Sequence, residues 1–235
     1  MARQRGNRSR RIPVSKYPFS PSTYPGMRPR FSFFFTPKGI YRVKLRTLNR
    51  FLADRKLPPT TERFAVVAYG SNACPGQLLR KYRKHRLTNV PVLFGRVLGA
   101  EAVYAHRQTI KDRYIPATLA RETGSRSSWV TLLAADQFEA MDASEGRPGS
   151  YELAKLSGVQ FFVGRKEVFP LYAYLNIRGG VMTFDGKAVN LRFVGQKRAK
   201  RIFDRTTEQP ATAWLGFEII PDQHRPPEYS KILKR

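Results

Sequence analysis

The feature that most restricts the fold of this chain is a series of short apolar runs. Residues 64–69, 90–97, 100–105, 115–120, 129–134, 151–156, 160–163 and 168–175 are each of strand length, and polar, glycine or proline breaks separate them. Such spacing predicts strands and turns, with little room for long helices. Helical patterning is confined to a few places. Pro75 suits a first helical turn, and Leu78, Leu79 and Tyr82 follow as an inner face. Asp136 and Glu139 have capping-box spacing, with Asp136 as N-cap, for a helix over about 137–145 that Gly146 stops. Leu45, Leu48, Phe51 and Leu52 predict a basic helix within 40–56, and a basic segment over 189–203 also reads as helical. The expected fold class is α+β: a small, mostly antiparallel sheet or barrel with flanking helices.

Charge divides the chain. The 235 residues carry a formal net charge of +26. Residues 1–56 hold 15 Lys/Arg against one acid, Asp54, while the remainder holds 28 against 16. Pro13, Pro18, Pro21, Pro25 and Pro29 oppose helix in the first thirty residues. Residues 57–61 (Leu-Pro-Pro-Thr-Thr) then break the chain. The expected division is a basic, partly disordered extension over 1–60 and a folded domain over 61–235. A hydrophobic content of 41% excludes a wholly disordered chain. With one cysteine, Cys74, no intrachain disulfide forms. No apolar run approaches the roughly 18 residues of a membrane span. A cytoplasmic location is expected, with the Arg-rich, acid-poor start admitting an organellar transit peptide instead.

Two motifs carry chemistry. Ala68-Tyr69-Gly70-Ser71-Asn72 follows the first strand of the domain. Gly70 permits φ > 0, so successive N–H groups can point outward beside a helix start and hold a carboxylate or a developing oxyanion. The plainer reading is a strand–turn–helix connection in which Ser71 or Asn72 caps the helix. The second motif, Met141-Asp142-Ala143-Ser144-Glu145-Gly146, places Glu145 at a helix C-terminus. The dipole there opposes a carboxylate and favours its protonated form, which suits a group that takes and then returns a proton. The plainer reading is a surface glutamate at a frayed end.

The order of these strings resembles the γ-glutamylcyclotransferase-like superfamily. Tyr69-Gly70-Ser71-Asn72 comes first, then Pro116-Ala117-Thr118-Leu119, then Asp142 to Gly146, then a nearby tyrosine, over roughly residues 64–178. The resemblance implies that the loop of Tyr69, Gly70, Ser71 and Asn72 binds a γ-glutamyl group through its backbone. It also implies that Glu145 is the general acid/base and that Tyr151 and Tyr174 line the pocket. The implied reaction is closure of the substrate's own α-amine onto its γ-carbonyl. That step gives 5-oxoproline and a free amine, and needs no metal, cofactor or protein nucleophile. The chain departs from the family where Ala73-Cys74 follows Asn72, and in Pro148-Gly149 after Glu145.

A second reading uses the same fold as a scaffold. Arg3, Arg5, Arg8, Arg10 and Arg11, the cluster from Arg80 to Arg86, and Lys197, Arg198, Lys200 and Arg201 form three basic regions. These would dock on RNA or a ribonucleoprotein through phosphates, with strong salt dependence and no base-reading motif. The alternative for each region is a solvated face or tail. His85, His106 and His224 show no metal-ligand spacing, and Cys74 reads as a small buried thiol.

Overall fold

The structure is a computed structural model. It describes residues 11–14, 19, 24–109, 114–147, 149–176, 178–209, 217–220, 226 and 228–234. In chain order the elements begin with β1 (Arg11–Ile12), β2 (Phe33–Thr36), β3 (Gly39–Arg42), α1 (Leu48–Ala53), β4 (Phe64–Val67) and α2 (Pro75–His85). They continue with β5 (Val90–Tyr104), β6 (Ala117–Leu133), α3 (Ala135–Glu145), β7 (Tyr151–Leu156), β8 (Gln160–Val163), β9 (Lys166–Phe169) and β10 (Leu171–Asn176). The last are β11 (Val181–Phe184), β12 (Lys187–Ala188), α4 (Gln196–Ile202), β13 (Thr207–Gln209), β14 (Phe217–Ile220) and β15 (Lys231–Lys234).

The main sheet is neither small nor a barrel. It has 12 strands, ordered β1-β3-β2-β5-β6-β4-β10-β7-β14, with β8, β9 and β15 branching from β5. No pairing among the described residues joins β1 to β14, so the sheet stays open. It is mixed because β4 runs parallel to β10, in the register Leu171↔Ala65 and Tyr172↔Val66. Every residue of β4 is buried, as expected for a central strand covered on both faces. The extra size comes from two sources. The residues before 60 contribute β1, β2 and β3, and β5 is long enough to pair with β2 at its start and with β8 further along.

Length also explains the strand count. The runs 90–97 and 100–105 are one strand, β5, with an irregularity between Leu98 and Gly99. Gly99 has φ +86, and a Cβ there would sit 2.4 Å from the Gly158 carbonyl oxygen. The runs 115–120 and 129–134 are likewise joined in β6, whose middle, 121–127, alternates between exposed and half-buried. Its polar composition marks a solvated stretch of ribbon, not a turn. By contrast, the expected strand over 168–175 is divided into β9 and β10.

The division at residue 60 does not separate two cores. Phe33, Phe34, Phe35, Leu48 and Leu52 are fully buried. Along β2 the period of two sends Phe34 to one face of the sheet, where Leu48, Leu52 and Val130 pack. Phe33 and Phe35 go to the other, with Phe64, Phe138 and Met141. Burying such side chains stabilises the fold by about 1.5–3 kcal/mol each. The predicted basic helix is shorter than expected, since β3 takes residues 39–42 and leaves α1 at Leu48–Ala53.

The start of α3 is anchored by a buried polar pair. Arg63, with no exposed surface, donates to Gln137 Oε1 at 2.8 Å and to the Leu132 carbonyl at 3.2 Å. Gln137 Oε1 also accepts from the Ala134 N–H at 3.0 Å, so Ala134 rather than Asp136 is the N-cap and the helix begins two residues earlier than predicted. Burial lowers the Arg63 guanidinium to about 10. Among the described residues no helix is long and apolar enough to cross a membrane.

Candidate active site

β4 runs into Ala68, Tyr69 and Gly70, and a single tight turn over Ser71–Ala73 leads to α2. Gly70 is not in the left-handed region the sequence suggested; its φ is −97°. A glycine is required for a different reason: a Cβ there would lie 2.9 Å from the Tyr24 hydroxyl. The N–H groups of Ser71 and Asn72 open the turn, where no carbonyl precedes them at the right spacing. They find no acceptor among the described residues. On the other side, α3 ends at Glu145, and Gly146 supplies the left-handed stop at φ 67°.

These two ends meet. Asn72 Nδ2 donates to Glu145 Oε1 at 3.0 Å, and Lys81 Nζ donates to the same oxygen in a short ion pair. Lys81 also donates to Ser144 Oγ at 2.6 Å and touches Met141 Sδ at 3.5 Å, so one ammonium fastens α2 to the last turn of α3. The Glu145 and Lys81 side chains are 12% and 13% exposed. Lys81 offsets the negative end of the helix dipole, which sequence reasoning took to act on Glu145 alone. Both donors use Oε1. Oε2 has no partner among the described residues.

A cavity of about 560 Å³ opens in front of this carboxylate. Tyr69, Gly70, Ser71, Asn72, Glu145, Tyr151 and Tyr174 all line it, so the structure brings the seven predicted residues to one place. Tyr69 donates its hydroxyl to the Tyr174 carbonyl. The Tyr151 hydroxyl lies 3.5 Å from the Ala117 carbonyl. Burial, helped by the Glu145 charge, pushes the phenols of Tyr69, Tyr151 and Tyr174 well above the ordinary tyrosine value. They are therefore neutral hydroxyls, able to orient a substrate but not to act as bases. Asn72 Oδ1 and Asn176 Oδ1 are buried acceptors with no donor among the described residues. Both residues line the same cavity.

Sequence reasoning missed several contributors. Tyr24 comes from the segment expected to be disordered, yet its hydroxyl accepts from the Ala117 N–H at 2.9 Å and its ring stacks on Tyr114 at 4.8 Å. Burial raises its phenol well above the usual range too. Arg28 reaches the loop from behind, donating to the Tyr69 carbonyl at 2.8 Å while lying 4.5 Å over the Trp129 ring. Burial lowers its guanidinium from the ordinary arginine value. Lys81 was legible only as one member of a basic cluster. Asn176 ends the same strand that carries Tyr174, and alternation along β10 was the available signal.

The other expected binding residues lie elsewhere. Lys197, Arg198, Lys200 and Arg201 are exposed on α4, around buried Ala199, and none lines the cavity. Arg11 is exposed on β1, while Arg3, Arg5, Arg8 and Arg10 lie outside the described residues. His106 stacks on Phe203 at 4.8 Å, away from Glu145, and His224 is not among the described residues. His85 is at the cavity edge, lowered by partial burial and by Lys84 and Lys81. Cys74 is buried with its thiol raised by burial.

No family model and no curated protein matches the sequence. Solved structures overlap it in part. A human protein described as uncharacterized shares 20% identity at a TM-score of 0.38, over 50% of this chain and 69% of that one. A protein named gamma-glutamyl cyclotransferase shares 19% identity at 0.37, over 49% and 67%. YkqA from Bacillus subtilis shares 13% identity at 0.42, over 77% of this chain and 65% of its own. Overlaps of this size assign no activity.

Proposed function

We propose that this chain is a γ-glutamylcyclotransferase-type enzyme that converts a γ-glutamyl amine or peptide to 5-oxoproline and a free amine. The observation that carries the reading is Glu145: a carboxylate pinned through one oxygen by Asn72 and Lys81, with the other oxygen uncommitted at a cavity walled by neutral hydroxyls and amides. The γ-glutamyl head is a zwitterion. Its ammonium matches the orphaned acceptors Asn72 Oδ1 and Asn176 Oδ1, and the N–H groups of Ser71 and Asn72 match its oxygens.

The chemistry is an intramolecular displacement. Glu145 Oε2 removes a proton from the substrate's ammonium. The freed amine attacks the γ-carbonyl carbon, forming a C–N bond and a tetrahedral oxyanion. The original amide C–N bond then breaks as Glu145 returns the proton to the leaving nitrogen, while the attacking nitrogen sheds its second proton as the lactam forms and the released amine takes it up to depart as an ammonium. No water is consumed and atoms balance. Because nucleophile and electrophile share one chain, holding that chain folded supplies most of what catalysis requires. An N–H aimed at the oxyanion is worth about 2.7–4 kcal/mol in comparable sites. The test is incubation with a panel of γ-glutamyl amides and dipeptides, reading 5-oxoproline. Its formation by the wild-type chain supports the proposal, and its absence across the panel with a folded protein rejects it.

A further inference from the structure

The interior and the mouth of the cavity differ in charge. Glu145 is the one carboxylate that lines it among the described residues, and Lys81 is spent on Glu145. The remaining interior groups are amides and neutral hydroxyls. The mouth is cationic. α2 sends Arg80 and Lys84 to one lip, four residues apart and hence on one face of the helix, and Arg107 comes from the segment after β5. None of the three makes an ion pair among the described residues. The zwitterionic glutamyl head is satisfied inside, so these charges face whatever the head is joined to.

Resting on the reading of the site as a cyclotransferase, we infer that the preferred substrate is a γ-glutamyl amide whose leaving amine carries two or more negative charges, as carboxylates or phosphate. A neutral amine would leave three cations crowded at the mouth and unmatched. A dianionic one meets them as the head docks. In this reading the three cations meet the leaving half and not the reacting carbonyl, so these contacts act equally on bound substrate and transition state. They lower KM and leave kcat to Glu145. Each exposed pair is worth about two- to fivefold. Two or three together amount to about tenfold or more.

The experiment uses the full chain and four substrates. They are γ-glutamyl-propylamine with no charge on the leaving half, γ-glutamyl-alanine with one, and γ-glutamyl-aspartate and γ-glutamyl-phosphoethanolamine with two. The expected result is a rise in kcat/KM of about tenfold or more from neutral to dianionic leaving group, carried by KM, and largely erased at about 0.5 M salt as the screening length shrinks. Comparing the two dianions identifies the source of the charge. The triple variant Arg80→Gln, Lys84→Gln, Arg107→Gln should lose the preference through KM. Equal kcat/KM across the series, with 5-oxoproline formed, overturns this inference and leaves the cyclisation standing. No 5-oxoproline from any substrate overturns both.

Discussion

Replacing Glu145 by Gln tests the catalytic assignment, but the structure warns that it also breaks an ion pair. The Lys81 ammonium is only 13% exposed and would face the carboxamide that replaces its counter-ion. Removing one partner of a fully buried pair costs about 3–5 kcal/mol. Here some solvent remains, and Lys81 keeps Ser144 Oγ at 2.6 Å and Met141 Sδ at 3.5 Å. The expected cost is therefore lower, about 1–3 kcal/mol, or roughly 2–12 °C in Tm for a chain of this size. Loss of a general acid–base lowers the rate by about 10²–10⁴-fold. The two effects separate in the double variant Glu145→Gln, Lys81→Met, which removes the orphaned charge. Its melting temperature should recover most of the loss while 5-oxoproline formation stays at the level of the single variant. Lys81→Met alone should keep the carboxylate, with Asn72 still bonded, and retain turnover within about tenfold of wild type, since it removes orientation rather than the proton carrier. The assays are thermal denaturation and product release on the same preparations. Turnover by a folded Glu145→Gln chain at near wild-type rate would refute the assignment of Glu145. Restored turnover in the double variant would show that the single change acted through charge alone.

Three further outcomes are expected. Gly70→Ala places a methyl 2.9 Å from the Tyr24 hydroxyl, so it should destabilise by about 1–3 kcal/mol; adding Tyr24→Phe should recover part of that melting temperature, and an unchanged deficit would move the cause to the backbone. The phenols of Tyr24, Tyr69, Tyr151 and Tyr174 are all raised by burial, so in alkali the unfolded state binds fewer protons than the folded one. Their contribution is intact below roughly pH 10 and is lost as pH climbs from there towards the folded-state values, by about 1.4 kcal/mol per tyrosine at one unit above the unfolded value. Tyrosinate absorbance should then rise in one step with unfolding, and a gradual titration of the folded chain would count against it. Finally, a chain beginning at residue 31 loses buried Phe19, the Tyr24 and Arg28 hydrogen bonds to Ala117 and Tyr69, and the Pro29 carbonyl that accepts from Trp129 Nε1 at 2.7 Å. It should melt at least several degrees lower and lose turnover, whereas a dispensable arm predicts neither.

What could be read from the sequence follows the range of the forces involved. The buried strand 64–67 and the stop at Gly146 depend on neighbours a few residues away, and local pattern reveals them. Glu145 was legible because helix geometry and a short motif agree on where the chain ends its turn. Lys81 was not, because its partner is 64 residues distant and its own neighbourhood, from Arg80 to Arg86, reads as a solvated basic face. The single ribbon made by β5 and β6 was broken into pieces for a related reason. Apolar content marks burial, and the middle of β6 is paired without being buried. Backbone hydrogen bonding holds a strand there that side-chain hydrophobicity does not announce.

Residues 24–30 show how composition misleads when order is imposed from outside a segment. Proline and arginine deprive a chain of internal hydrogen bonds and of an apolar face, and both pointed to a tail. Yet a segment without its own secondary structure can be ordered by single side chains that fit sites built elsewhere. Tyr24 caps the Ala117 N–H and stacks on Tyr114, and Arg28 satisfies the Tyr69 carbonyl from behind the loop. Trp129, in turn, gives its indole N–H to Pro29. Two of these partners, Tyr69 and Tyr114, line the cavity. The absence of a side chain at Gly70 is then the counterpart of the presence of one at Tyr24, because the hydroxyl occupies the space a Cβ would need. A loop whose backbone N–H groups are left open on one side gains from being held on the other. Tyr24 and Arg28 supply that support, so they belong with the cavity as much as the motifs that announce it.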